Sequence, residues 1–265
     1  MKEYFQKVSD YLFNSLVPNE ILILNFDAEQ TDFVRFNHAK IRQAGNVNQA
    51  TLTLSLVCKR KSLNSVIRLS LDYEKDSVLL MRTLYYLRRE IPELPQDPYL
   101  MYERNINSFD RESNIKLLDS TSITDSILHD CHSLDMVGIL SSGGIMKGFS
   151  NSLGQSNWHE NQSFNFDWSM YTKSGKAIKQ NYSDQVWDQK IFNLLVEESK
   201  QKLSVIDNKE HTIKPGKYKV YLCPSALNEI VDMLSWGGFS YKANKIGSSP
   251  LHLMMKGEKK LNKAV

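Results

Sequence analysis

The sequence predicts an α+β fold, in which a mixed or antiparallel sheet carries long helices over residues 1–206. Three patterns predict it. In residues 49–59, Leu52, Leu54, Leu56 and Cys58 alternate with Thr51, Thr53, Ser55 and Val57, the period-two signature of a half-buried antiparallel strand. Long segments elsewhere place apolar residues three and four apart, the stripe of an amphipathic helix. These helices stand singly between runs of strands, the order expected of α+β architecture.

Taken in order, residues 4–16 form an amphipathic helix with Phe5, Val8, Leu12 and Leu16 on its stripe, ended by Pro18-Asn19. Residues 20–26 and 31–36 read as two strand-like runs joined by a short polar turn. Residues 49–59 and 65–73 make a hairpin, and the basic tip Lys59-Arg60-Lys61 suits its turn. Asp76 opens a helix through Ile91, with Leu79, Leu80, Thr83, Leu84 and Leu87 toward the core. Pro92, Pro95 and Pro98 break it and stiffen the connector that follows. A Ser/Thr-rich start at 120–122 leads a helix whose inner stripe is Ile123, Ile127 and Cys131, with Leu128 beside it. Residues 135–140 form a strand, 164–171 alternate like another, and Ser174-Gly175 turns the chain into 177–182. A long helix over about 184–204 directs Ile191, Leu194, Leu195 and Leu203 inward.

Residues 207–216 form a polar linker ending in Pro215-Gly216, the expected domain boundary. Residues 217–265 then read as the beginning of a second, β-rich domain, opened by a strand that runs into a helix. About fifty residues are few for an independent core, so this segment packs on the first domain or begins something larger.

The composition is that of a globular protein: 41% hydrophobic and 24% charged over 265 residues. Apolar runs such as Ile21-Leu22-Ile23-Leu24 are far too short to span a bilayer, so no membrane segment is expected. The N-terminus mixes charge and polarity and is no secretory signal. Cysteines at 58, 131 and 223 form no paired framework, which favours a reducing cytoplasm. A net charge of +3, with Arg88-Arg89 and Lys259-Lys260 as isolated pairs and no interleaved aromatics, argues against direct nucleic-acid binding.

Three places could hold chemistry. His129, Asp130, Cys131 and His132, with Asp135 nearby, have metal-ligand chemistry. On a helix, however, adjacent side chains diverge by about 100°, and Cys131 belongs to the apolar stripe. Ser141-Ser142-Gly143-Gly144 matches neither a phosphate loop nor a nucleophile elbow and reads as a strand-end turn. His159-Glu160 lacks a second histidine at protease spacing and reads as a loop. The third place is the helix after 217–223. There Glu229 is preceded by Asn228 and followed by Asp232 and Met233. A zinc protease helix needs two imidazoles and a glutamate that activates the bound water. Asparagine and methionine do not replace those imidazoles, and Leu227, Ile230, Val231 and Leu234 read as a buried face.

Several passages together resemble the TldD/PmbA family, once called modulators of DNA gyrase and regarded as metallopeptidases. They are residues 33–43, from Phe33 through His38 to Gln43; Pro92 to Tyr99; and Val137 to Gly143. They continue with Asn151-Ser152-Leu153-Gly154, like the family's N-S-x-G turn, then Pro215 to Pro224, Trp236-Gly237-Gly238-Phe239 and Gly247 to Leu251. The resemblance implies a two-domain cytoplasmic protein, dimeric around a peptide-accessible cavity. It also implies an H-E-x-x-x-H helix in catalytic members, with a cysteine ligand much later. Here Asn228 and Met233 stand at the histidine positions, and only Glu229 survives from the motif. Family members continue well past the point matching Val265, so the chain is expected to be a shortened form or one half of a split protein.

The resemblance is nearest to the PmbA (TldE-like) branch, which lacks the zinc motif and pairs with a catalytic partner. It implies a subunit that holds no zinc or other cofactor itself. Its expected partners are a second copy or a TldD-like subunit, with a peptide or unfolded protein as substrate. Two alternatives stand beside it. One is an active peptidase with ligands such as His211 or His252, or from a second chain. The other is a non-enzymatic module that binds DNA-associated proteins.

Overall fold

The computed structural model describes residues 1–260, apart from the Ser225 side chain. The chain divides into two units, Met1–Lys209 and Glu210–Val265.

The first unit is built on one seven-stranded sheet. Its strands are β1 (Glu20–Asn37), β2 (Lys40–Cys58), β3 (Lys61–Leu69), β4 (Phe109–Arg111), β5 (Met136–Asn151), β6 (Ser156–Tyr171) and β7 (Ala177–Asp184). The spatial order is β3-β2-β1-β5-β6-β4, with β7 also paired to β6. Every pairing is antiparallel except β4 with β6. The helices are α1 (Lys2–Phe13), α2 (Tyr73–Glu90), α3 (Ser120–Cys131) and α4 (Gln189–Ile206). The fold is α+β.

Local chemistry accounts for the element ends. Asp72, Asp119 and Asp188 cap α2, α3 and α4, each carboxylate accepting from backbone N–H groups of the first turn, which would otherwise be unpaired. Lys59 and Arg60 both take positive φ and close the β2–β3 hairpin, the backbone of a tight two-residue turn. The β5–β6 turn is Asn151-Ser152-Leu153-Gly154, where the Asn151 carboxamide oxygen accepts from Leu153 N–H and Gln155 N–H, both at 3.0 Å.

All four helices lie on one face of the sheet, and they divide its core in two. Even-numbered residues of β1 and β2 (Leu22, Leu24, Phe26, Leu52, Leu54, Leu56) pack with Phe5, Val8 and Leu12 of α1 and Leu80, Leu84 and Leu87 of α2. Farther along the same face, Val34, Phe36, Phe166 and Trp168 pack with Ile123, Ile127 and Cys131 of α3 and Phe192 and Val196 of α4.

Several expectations change. Residues 20–26 and 31–36 are one strand, because 27–31 pair in register with both β2 and β5 and leave no room for a turn. Ser141–Gly144 is the middle of β5, not its end. Glycine suits that position because β1 comes so close: a Cβ on Gly143 would lie 2.1 Å from the Gln30 carbonyl oxygen. His159-Glu160 lies within β6, paired with Lys147 and Met146. The stripe of α4 is Phe192, Val196 and Ser199; of the expected inward residues, Leu195 and Leu203 pack against this core at its edge, while Ile191 and Leu194 are exposed. Leu79 of α2 also faces out.

The second unit holds α5 (Pro224–Ser235), α6 (Tyr241–Lys245) and α7 (His252–Met255). The expected strand at 217–223 and the expected β-rich character are absent from the described residues. A strand exists through its partner's hydrogen bonds, and no segment of 210–260 pairs with this one. Two of the motif passages do meet: Ser249 Oγ donates to the Gly238 carbonyl at 2.6 Å, and Asn244 Nδ2 donates to the same oxygen at 2.8 Å.

Candidate functional site

The helix with motif chemistry is α5. Pro224 occupies its first turn after Cys223, where a missing N–H costs nothing. Glu229 is exposed. Asn228 Nδ2 donates to Asp232 Oδ2, one turn on, at 3.0 Å. This bond turns the amide toward a carboxylate, where a histidine would offer a lone pair to a metal. Met233 is exposed.

The fit of zinc to this set fails on donor chemistry. One amide, two carboxylates and a thioether offer neither the imidazole nor the thiolate donors that hold zinc. Among the described residues, no group of three or more His, Cys, Asp or Glu side chains is arranged to hold a metal ion. His211 is exposed on the segment before α5. His252 Nδ1, at the start of α7, lies 2.9 Å from the Ser249 carbonyl just before it.

The expected buried face of α5 is open. Leu227, Ile230 and Val231 are exposed, and Trp236 just beyond is 92% exposed. The helix therefore presents an apolar surface beside Glu229, and such surfaces mark interaction sites.

The other candidates resolve structurally. Cys131 is wholly buried, and its thiol is pushed up to about 12 by burial and then by the Asp130 charge. His129 Nδ1 turns outward to Asp130 Oδ1 at 2.8 Å, so this imidazole and the thiol do not converge. Ser142 and Gly144 belong to a polar strip on the helix-bearing face that sequence reasoning missed. Its signal was the break in β1's apolar alternation, Gln30 falling in the stretch read as a turn and Asp32 in the strand-like run after it.

Neither a family model nor a curated protein matches the sequence. Solved structures do match in shape. The chain superposes on a candidate modulator of a DNA gyrase from Thermotoga maritima with TM-score 0.65 at 13% identity, covering 93% of this chain and 58% of that one. A second candidate modulator of DNA gyrase, from Bacteroides thetaiotaomicron, gives TM-score 0.62 at 13% identity, covering 94% and 59%. The chain has the fold of the gyrase-modulator structures. TldE from Thermococcus kodakarensis gives TM-score 0.50 at 11% identity, covering 77% of this chain and 47% of that one. The chain thus spans less than two thirds of the length of each of these structures. No helix among the described residues is long and apolar enough to cross a membrane.

Proposed function

We propose that the chain is a TldD/PmbA-type protein of the TldE-like kind, a subunit that holds no zinc and supports peptide cleavage by a catalytic partner. One observation carries this reading: α5 keeps Glu229 while Asn228 and Met233 replace the two histidines, and Asn228 is committed to Asp232. A glutamate without a metal-bound water has nothing to activate. The open apolar side of α5 supports a role in assembly, since Leu227, Ile230, Val231 and Trp236 are available to a partner surface. That partner is a TldD-like subunit or a second copy of this chain, and the substrate is a peptide or unfolded protein in the cytoplasm.

Elemental analysis of the purified chain is expected to find no stoichiometric zinc. Incubation with an unfolded protein is expected to give no cleavage until a zinc-bearing partner is added. Stoichiometric zinc lost in Glu229→Ala, or chelator-sensitive cleavage by the chain alone, overturns the reading in favour of an active peptidase.

A further inference from the structure

The two helix pairs leave a strip of the sheet uncovered between them. On β1 the buried side chains of the first core end at Ala28 and those of the second begin at Val34. Six residues at about 3.4 Å each put roughly 20 Å between them. The strip between is a groove of about 410 Å³. Strand register fills it with polar side chains in rows. Asn48, Gln30, Gly144 and Gln162 lie abreast across β2, β1, β5 and β6, and Asn46, Asp32 and Ser142 form the next row.

These side chains are not consumed by the fold. The carboxamides of Asn46, Asn48, Gln30 and Gln162 have no hydrogen-bond partner among the described residues. The Ser142 hydroxyl likewise has no protein partner among the described residues and is open to the groove. Asp32, the one charged residue on the lining, accepts from Ser120 Oγ of α3 at 2.8 Å. Gly144 keeps the floor low: a Cβ there would lie 2.7 Å from Gln162 Nε2.

We infer that this groove binds an extended peptide segment through its backbone. A carboxamide offers a donor and an acceptor, as each peptide unit does, so a row of them matches main chain and leaves side chains unread. Four adjacent strands span about 15 Å, the length of four or five extended residues. The lining carries no cation to hold phosphate and no aromatic ring on which a base or sugar could stack. This deepens the peptide-handling role proposed above and rests on it.

The test uses the full chain and a fluorescein-labelled Ser-Ala repeat peptide of about eight residues, read by fluorescence anisotropy. The expected result is saturable binding, weakened about tenfold or more by Gln30→Ala with Gln162→Ala and similarly by N-methylation of alternate peptide amides. Asn181→Ala, on the opposite face, leaves binding unchanged, and the melting temperature of each variant confirms folding. Absence of binding, equal affinity for the N-methylated peptide, indifference to the double variant, or displacement by a neutral oligosaccharide each overturns the groove. Loss of the groove with partner-dependent cleavage intact leaves the subunit role standing. Groove binding in a chain that holds zinc overturns the subunit role instead.

Discussion

Asp76, at 3% exposure, shows how one side chain ties separate elements together. It accepts from the N–H groups of Ser70 and Leu71, from Ser70 Oγ, and from Tyr4 Oη of α1 at 2.5 Å. Leu71 has φ 64°, a left-handed conformation that a leucine keeps only when its surroundings enforce it. Burial, then the Asp76 bond, raises the Tyr4 phenol well above its ordinary value, so it remains a donor across the neutral range. Asp76→Ala strands these donors and is expected to cost about 3 kcal/mol, measured by urea denaturation. Glu20 and Arg88 behave differently. Glu20, 6% exposed at its side chain, takes a two-pronged bond from Arg88 at 2.7 and 2.8 Å. Burial pushes the Glu20 carboxyl up, but bonds from Arg88 and from the Val17 N–H outweigh it and hold the group below its ordinary value. The folded state therefore takes up this proton less readily than the unfolded state. Its stabilising contribution is present above the unfolded value near ~4.3 and is lost as pH falls through the depressed folded value. Arg88→Met is expected to cost about 3 kcal/mol at neutral pH and to remove this acid-side slope, read from denaturation midpoints against pH.

Among elements, the strands outran their sequence signals, and α1 and α3 followed theirs. The stripes of α1 and α3 were legible because burial follows the 3.6-residue period directly, and Phe5, Val8, Leu12, Ile123, Ile127 and Cys131 are all buried. On α4, apolar residues occupy both Ile191 and Phe192, so periodicity alone left the phase open; tilted ring packing of Phe192 against Trp187 and Phe166 decides it. β1 and β5 were cut short at their polar middles, since a strand crossing an uncovered strip looks like a turn in one dimension. Gly143 gives this reading a test. Its Cβ position is blocked by the Gln30 carbonyl at 2.1 Å and Thr31 Cα at 2.7 Å, backbone atoms that cannot swing aside. Gly143→Ala is expected to destabilise by about 3 kcal/mol. Reduced amide protection at the β1–β5 seam in hydrogen exchange would locate the damage there.

For the whole molecule, both buried clusters draw only on residues of the first unit, from Phe5 through Val196. A fragment of residues 1–209 is therefore expected to fold and to melt cooperatively within a few degrees of the full chain. Far-ultraviolet circular dichroism against temperature checks this, and a fragment without a cooperative transition would show that the second unit is needed for the first to fold. The helix α5 was the most legible part of the candidate site. Asn228, Glu229 and Met233 fall within residues 228–233, so the lack of imidazole around Glu229 could be read without a structure. The groove was not legible, because Asn48, Gln30, Gly144 and Gln162 become neighbours only through the register of four strands.

The sequence by itself determined the α+β class, the stripes of α1 and α3, the hairpin at Lys59-Arg60 and the absence of histidine beside Glu229. Each is set by residues a few positions apart. Tertiary structure decided how far β1 and β5 run, which face of α4 is buried, that 217–223 forms no strand, and that α5 presents its apolar side to solvent. Those outcomes depend on hydrogen-bond partners and covering side chains supplied from elsewhere in the chain, and local pattern carries no record of them.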